Sequence, residues 1–128
     1  MNKLGIDDYI SSTISINIKD YENSVQIFFC GEIDMQDPEE IFMPFFENIH
    51  NKIIEVGLKE VNLNFENLNF LNSSGIKVLI KWIQKGLFLP EKEKYKFKIY
   101  ASSKIPWQIN SLKLLSMLSP TLIEIKVI

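Results

Sequence analysis

Arginine is absent from this chain. All fourteen basic residues are Lys, set against sixteen Asp and Glu for a formal net charge of −2. Nucleic-acid binders need a dense basic surface and favour Arg for bidentate contacts to guanine and phosphate, so nucleic acid is not an expected partner. Cysteine is nearly absent too: Cys30 alone excludes an internal disulfide and a cysteine-based zinc site, and it fits a reducing, cytoplasmic setting. Apolar runs last only a few residues before Lys or Asn breaks them, too short for membrane insertion. The segment Met1–Asp8 lacks the apolar core of a signal peptide. The five Gly are isolated, and none is followed by the Lys-Ser/Thr of a phosphate-binding loop.

What is present is a chain of 128 residues, 46% hydrophobic and 23% charged. That is enough for one self-sufficient domain, residues 1–128, with its core from about Ile14 onward and residues 1–13 as an N-terminal extension or extra edge element. Five segments alternate apolar and polar residues at period two: Ile14–Lys19, Val25–Phe29, Val61–Phe65, Tyr95–Ile99 and Ile123–Val127. The first two flank the turn-like Asp20-Tyr21-Glu22-Asn23 and read as a hairpin. Asn62, Asn64, Lys96, Lys98, Glu124 and Lys126 fall on one face, opposite Val61, Leu63, Phe97, Ile99, Ile123 and Ile125. One face under helices and one wet face are expected, unlike the doubly covered sheet of a Rossmann fold.

Three helical patterns lie between the strands. Asp37-Pro38-Glu39-Glu40 reads as an N-cap, a Pro at the first position and a capping-box Glu. Ile41, Phe45, Ile49 and Ile53 follow at four-residue spacing, Pro44 marks a kink or a later start, and Gly57 a stop. The second helix spans about Ser73–Lys85, with Ile76, Leu79, Ile80 and Ile83 as its apolar stripe and Lys77, Lys81 and Lys85 opposite. The third starts at Pro106-Trp107 and ends before Pro120. The order is strand, strand, helix, strand, helix, strand, helix, strand: an α/β fold with a mixed sheet of about five strands and helices on one face.

Enzyme signatures are missing. His50 is the one histidine, expected as a partly exposed helix residue, and neither an orienting acid nor a strained nucleophile turn accompanies it. Glu32, Asp34 and Asp37 are read as turn and capping residues rather than metal ligands, and no cofactor is implied. One segment stands out: Phe70-Leu71-Asn72-Ser73-Ser74-Gly75-Ile76 joins a strand to an amphipathic helix. Asn72 or Ser73 suits the N-cap. Gly75 in the first turn costs helix stability, and it is expected to leave backbone amides open to an anion at the positive end of the helix. A phosphate on a serine there would be tolerated by the fold.

The stretch Asn69–Leu79 resembles the signature of STAS domains, the family of bacterial anti-sigma factor antagonists, in which a strand and an apolar pair lead into Asp-Ser-Ser/Thr-Gly at a helix start. Gly31-Glu32-Ile33-Asp34 resembles the family's Gly-x-apolar-Asp segment, and the element order agrees from about Ile14 to Ile128. Ile105-Pro106-Trp107-Gln108 is similar to a subgroup with Asn-Ser-Ser-Gly motifs. The resemblance implies a non-enzymatic cytoplasmic regulator working by protein–protein contact, phosphorylated on the serine after the Asp by a partner kinase and dephosphorylated by a PP2C-type phosphatase. That serine is Ser73, with Ser74 a second candidate. Asn72 replaces the family's Asp, so a kinase would meet no carboxylate beside the hydroxyl. The implied partner is an anti-sigma-type serine kinase or another regulatory protein, with Asp34, Lys77, Val78 and Trp82 as candidate contact residues. The other reading is a non-phosphorylated scaffold or small-ligand-sensing module using the same loop. Oligomeric state stays open, and an exposed strand edge would permit a dimer.

Overall fold

Ile14, Ile16 and Ile18 alternate with Ser15, Asn17 and Lys19, and this alternation builds the first long strand of a six-stranded sheet. The computed structural model describes residues 2–128. Its elements are β1 (Tyr9–Ile10), β2 (Ile14–Tyr21), β3 (Ser24–Ile33), α1 (Pro38–Val56), β4 (Glu60–Leu71), α2 (Ser73–Leu87), a 3-10 turn (Glu91–Glu93), β5 (Lys96–Ala101), α3 (Pro106–Ser116) and β6 (Ile123–Val127). Spatial order repeats sequence order from β1 to β6. The first two pairings are antiparallel and the remaining three parallel, so the mixed sheet has the expected five strands plus the short edge strand β1.

The hairpin between β2 and β3 closes with Tyr21 opposite Ser24, and Glu22 takes a positive φ of 53° in the two-residue turn. Gly31 is required where it stands. Its φ is +117°, and a Cβ there would collide with the Thr13 carbonyl oxygen. The same carbonyl accepts the Glu32 N–H at 2.9 Å, and the β3–β4 register shifts next to it.

The helix α1 starts at Pro38 and runs through Pro44 without ending, so Pro44 is neither its start nor its stop. Pro44 and Glu40 are both exposed, which lets water take the Glu40 carbonyl that has lost its helical donor. Asp37 stands at the N-cap but makes no side-chain capping bond, unlike the expected capping box. Gly57 does end the helix, in the left-handed conformation with its N–H on the Ile53 carbonyl. The buried face is Phe42, Phe46, Ile49, His50 and Ile53, whereas Ile41 is exposed and Phe45 half-buried. Strict four-residue spacing drifts about 40° per step around a helix, while the 4-3-4 spacing of Phe42, Phe46, Ile49 and Ile53 stays on one face. In α2 the buried set is Gly75, Val78, Leu79, Trp82, Ile83 and Gly86; Ile76 and Ile80 lie at its border and Lys77, Lys81 and Lys85 are outside. The two helices pack side by side, with ion pairs from Lys81 to Glu39 and from Lys85 to Glu47.

One apolar core joins the helices to the inner sheet face, from Ile16 and Phe29 through Leu63 and Phe97 to Leu112 and Ile123. The outer face is less wet than the alternation implied. Asn62 and Asn64 sit on the central strand and are buried, screened by their register neighbours Gln26, Phe28, Lys98 and Tyr100. Asn62 satisfies its amide by donating to the Val25 carbonyl at 3.1 Å.

Candidate functional site

The strand-to-helix junction is organised by Asn72. Its backbone is extended (φ −74°, ψ 170°), its Oδ1 accepts the Gly75 N–H at 2.8 Å, and its carbonyl accepts the Ile76 N–H at 3.1 Å. Those are the duties of an N-cap. Two further bonds tie the junction to the segment after β3: the Asn72 N–H donates to the Ile33 carbonyl at 3.0 Å, and Nδ2 donates to the Met35 carbonyl at 2.9 Å. Asp34 lies between these two anchor points and is exposed. The loop holding Asp34 and the loop holding Ser73 are therefore laced together by one side chain.

Ser73 is the first residue of α2, exposed, and its hydroxyl has no hydrogen-bond partner among the described residues. Lys77, one turn further on, is also exposed. Ser74 is half-buried and lines a groove of about 180 Å³ with Gln36, Asp37, Pro38, Glu39, Lys77, Val78 and Lys81. Gly75 has a different role from the expected one. It is buried, its amide is taken by Asn72, and a Cβ would meet Leu71 Cδ1 at 2.5 Å and Ile33 Cγ2 at 3.0 Å. The glycine lets the helix start press on the ends of β3 and β4 rather than exposing an anion cradle.

Val78 and Trp82, expected at the contact surface, are 2% and 0% exposed and belong to the core. Trp82 stacks on Phe46 at 4.8 Å between centroids and crosses Phe97 edge-on. The apolar arc of α2 is wider than the expected stripe of Ile76, Leu79, Ile80 and Ile83 because it is buried on both sides, against α1 and β5. Of the four candidate contact residues, Asp34 and Lys77 remain on the surface. His50 is buried rather than partly exposed: Tyr95 Oη lies 2.7 Å from its Nδ1, and Trp82 Nε1 donates to the same oxygen at 3.1 Å. With Trp82 donating to its oxygen, the Tyr95 hydroxyl still has its own proton to give, and a neutral imidazole with Nδ1 unprotonated can accept it. Burial and then Lys85 push the His50 pKa down, against Glu47, and burial pushes the Tyr95 hydroxyl up. Neither group reaches the Ser73 loop by any hydrogen bond among the described residues.

Two neighbours of the site were not legible as such. Trp107 Nε1 donates to the Asn69 carbonyl at 2.9 Å, bracing the end of β4 from the start of α3. Phe70, two residues before the cap, is a large aromatic left exposed. An aromatic in an alternating strand carries no sign of which face will be left uncovered. No group of three His, Cys, Asp or Glu side chains converges to hold a metal among the described residues. No helix of the described residues is long and apolar enough to cross a membrane.

No family model matches the chain, and no curated protein matches it in sequence. Solved structures do. An anti-sigma factor antagonist from Mycobacterium paratuberculosis superposes with a TM-score of 0.59 at 19% identity, covering 90% of this chain and 88% of that one. The anti-sigma factor antagonist SpoIIAA in its unphosphorylated form gives 0.52 at 17% identity, covering 87% of each chain. With the strand order, the three covering helices and nearly full mutual coverage in agreement, this chain has the fold of the anti-sigma factor antagonists.

Proposed function

We propose that the chain is a non-enzymatic regulator of the anti-sigma factor antagonist kind, which binds a regulatory protein through the Ser73 junction and is released by phosphorylation of Ser73. The observation that carries this reading is the exposed Ser73 hydroxyl, held without a partner of its own on a junction that Asn72 fixes on both sides. The expected partner is an anti-sigma-type serine kinase or a related regulator, with a PP2C-type phosphatase reversing the modification. Asp34 and Lys77 border the contact, and Phe70 adds an apolar element to it.

A phosphate on Ser73 would sit at the positive end of α2, near Lys77 one turn away, so the fold tolerates it. At a docked interface the same charge of about −1.5 to −2 would have to be desolvated, which ends binding. The adjacent groove of about 180 Å³ is smaller than most small-molecule pockets and better suited to one side chain of a partner.

The test has two arms. Ser73→Ala should retain capture of the partner from the native cell and Ser73→Asp should lose it, read by quantitative pull-down. Phosphopeptide mapping of protein purified with phosphatases inhibited should place a condition-dependent phosphate on Ser73. Equal capture by both variants sinks the switch. An unmodified mass in growth and in stress favours the constitutive scaffold or ligand-sensing module instead.

A further inference from the structure

The two edges of the sheet are treated differently. At one edge β1 is only two residues long, and beyond it the side chain of Asp8 covers β2, accepting the Ile18 N–H at 2.8 Å and the Asn17 amide at 3.2 Å. A short strand and an inward carboxylate are the usual ways of closing an edge to further pairing. At the other edge β6 runs for five residues without Pro, and no side chain among the described residues hydrogen-bonds to its outer backbone groups. Its inner groups are identified by the bonds from Phe97 N–H to the Leu122 carbonyl and from Ile128 N–H to the Ala101 carbonyl, at 2.7 and 2.8 Å. Residues 122, 124, 126 and 128 thus face β5, and the amides of Ile125 and Val127 and the carbonyls of Ile123, Ile125 and Val127 point outward without partners among the described residues.

We infer that β6 is a self-association edge, pairing antiparallel with β6 of a second copy of this chain about a two-fold axis at Ile125. The choice of occupant rests on charge. In that register Glu124 lies opposite Lys126 of the second copy, and Lys126 opposite its Glu124, both pairs on the outer face. Ile123 meets Val127 on the helix side, and Ile125 meets its own counterpart. Moving the axis one residue either way opposes Glu124 to Glu124 or Lys126 to Lys126. The strand therefore encodes one symmetric register and penalises its neighbours. The apolar surface agrees: α3 packs mainly on β6 and carries Leu114 at 65% exposure, its C-cap Met117 is 72% exposed, and Val127 and Ile128 at the end of the chain's last strand are exposed as well. A second copy places two such helices on the same side of a continuous twelve-stranded sheet. This inference is independent of phosphorylation at Ser73.

The experiment is sedimentation and light scattering of the full chain from micromolar to millimolar concentration. A mass of twice 14.9 kDa is expected for the unaltered chain. Glu124→Lys alone and Lys126→Glu alone should each weaken the dimer about tenfold, since both symmetric pairs become like-charged. The double exchange should restore it. Ile125→Pro should be monomeric and folded, because that amide is outside the β5 ladder; should it unfold, the charge variants on the solvated face decide. A monomer throughout, a dimer indifferent to the single reversals, or no restoration by the double exchange would overturn the proposal.

Discussion

The side chain of Asn72 makes one bond as acceptor, from Gly75, and one as donor, to Met35. An ionised Asp could supply only the first and would set its charge against the Met35 carbonyl. Asn is thus a structural choice for joining two loops as well as a departure from the Asp of the resembled motif. Asn72→Ala should cost about 1–3 kcal/mol, from the lost cap and the orphaned carbonyl, read as a lower urea midpoint at unchanged slope. Asn72→Asp should cost less, about 1 kcal/mol at most, since the cap survives and the helix dipole favours the charge. The capping role was legible because it lies within three residues of its target; the bond to Met35 spans 37 residues and leaves no local trace.

Past Phe65, β4 leaves β5 behind and pairs with β3 alone. The unpartnered carbonyls of Phe65 and Leu68 are met by Gln108 of α3, whose Nε2 donates to them at 2.5 and 2.8 Å while its Oε1 accepts the Ser102 N–H at 2.8 Å. Gln108 is fully buried, so every one of these groups depends on it. Gln108→Leu should cost about 3 kcal/mol or more by leaving them dry and unpaired, measured by denaturant unfolding with circular dichroism checking the native fold. Element by element, the alternation placed β6 at its observed bounds and found the core of β2, β3 and β5. It stopped β4 at Phe65 instead of Leu71 because register shifts against β3 break the period there. The helix faces were offset by one position for a related reason: several apolar series coexist in α1 and α2, and only the sheet beneath selects among them.

At the scale of the molecule, the Trp82–Tyr95–His50 chain ties α2, the residue leading into β5 and α1 together inside the core. Protonating His50 would make Nδ1 a donor toward Tyr95 and strand the tyrosine proton. Glu47 and Lys85 face the imidazole from α1 and α2, and burial with Lys85 holds its folded pKa below the unfolded value of about 6.5. The unfolded chain then binds more protons, so this stability is complete above about pH 6.5 and is lost as pH falls through the folded value. Thermal melts between about pH 7.5 and 5.5 should show a falling midpoint, flattened in His50→Gln. The overall architecture was the most legible layer, since element order and period depend on every strand and helix at once. The buried polar chain was the least, since His50, Trp82 and Tyr95 are scattered along the sequence. The sheet's spatial order, which repeats its sequence order throughout, bears on synthesis. Each strand joins the edge left by the one made just before it, and no gap waits for a later segment. As the chain leaves the ribosome, the β2–β3 hairpin, α1 and then β4 can assemble in turn while β5 and β6 are still being translated, so the nascent domain grows from one side and always offers the next strand its template.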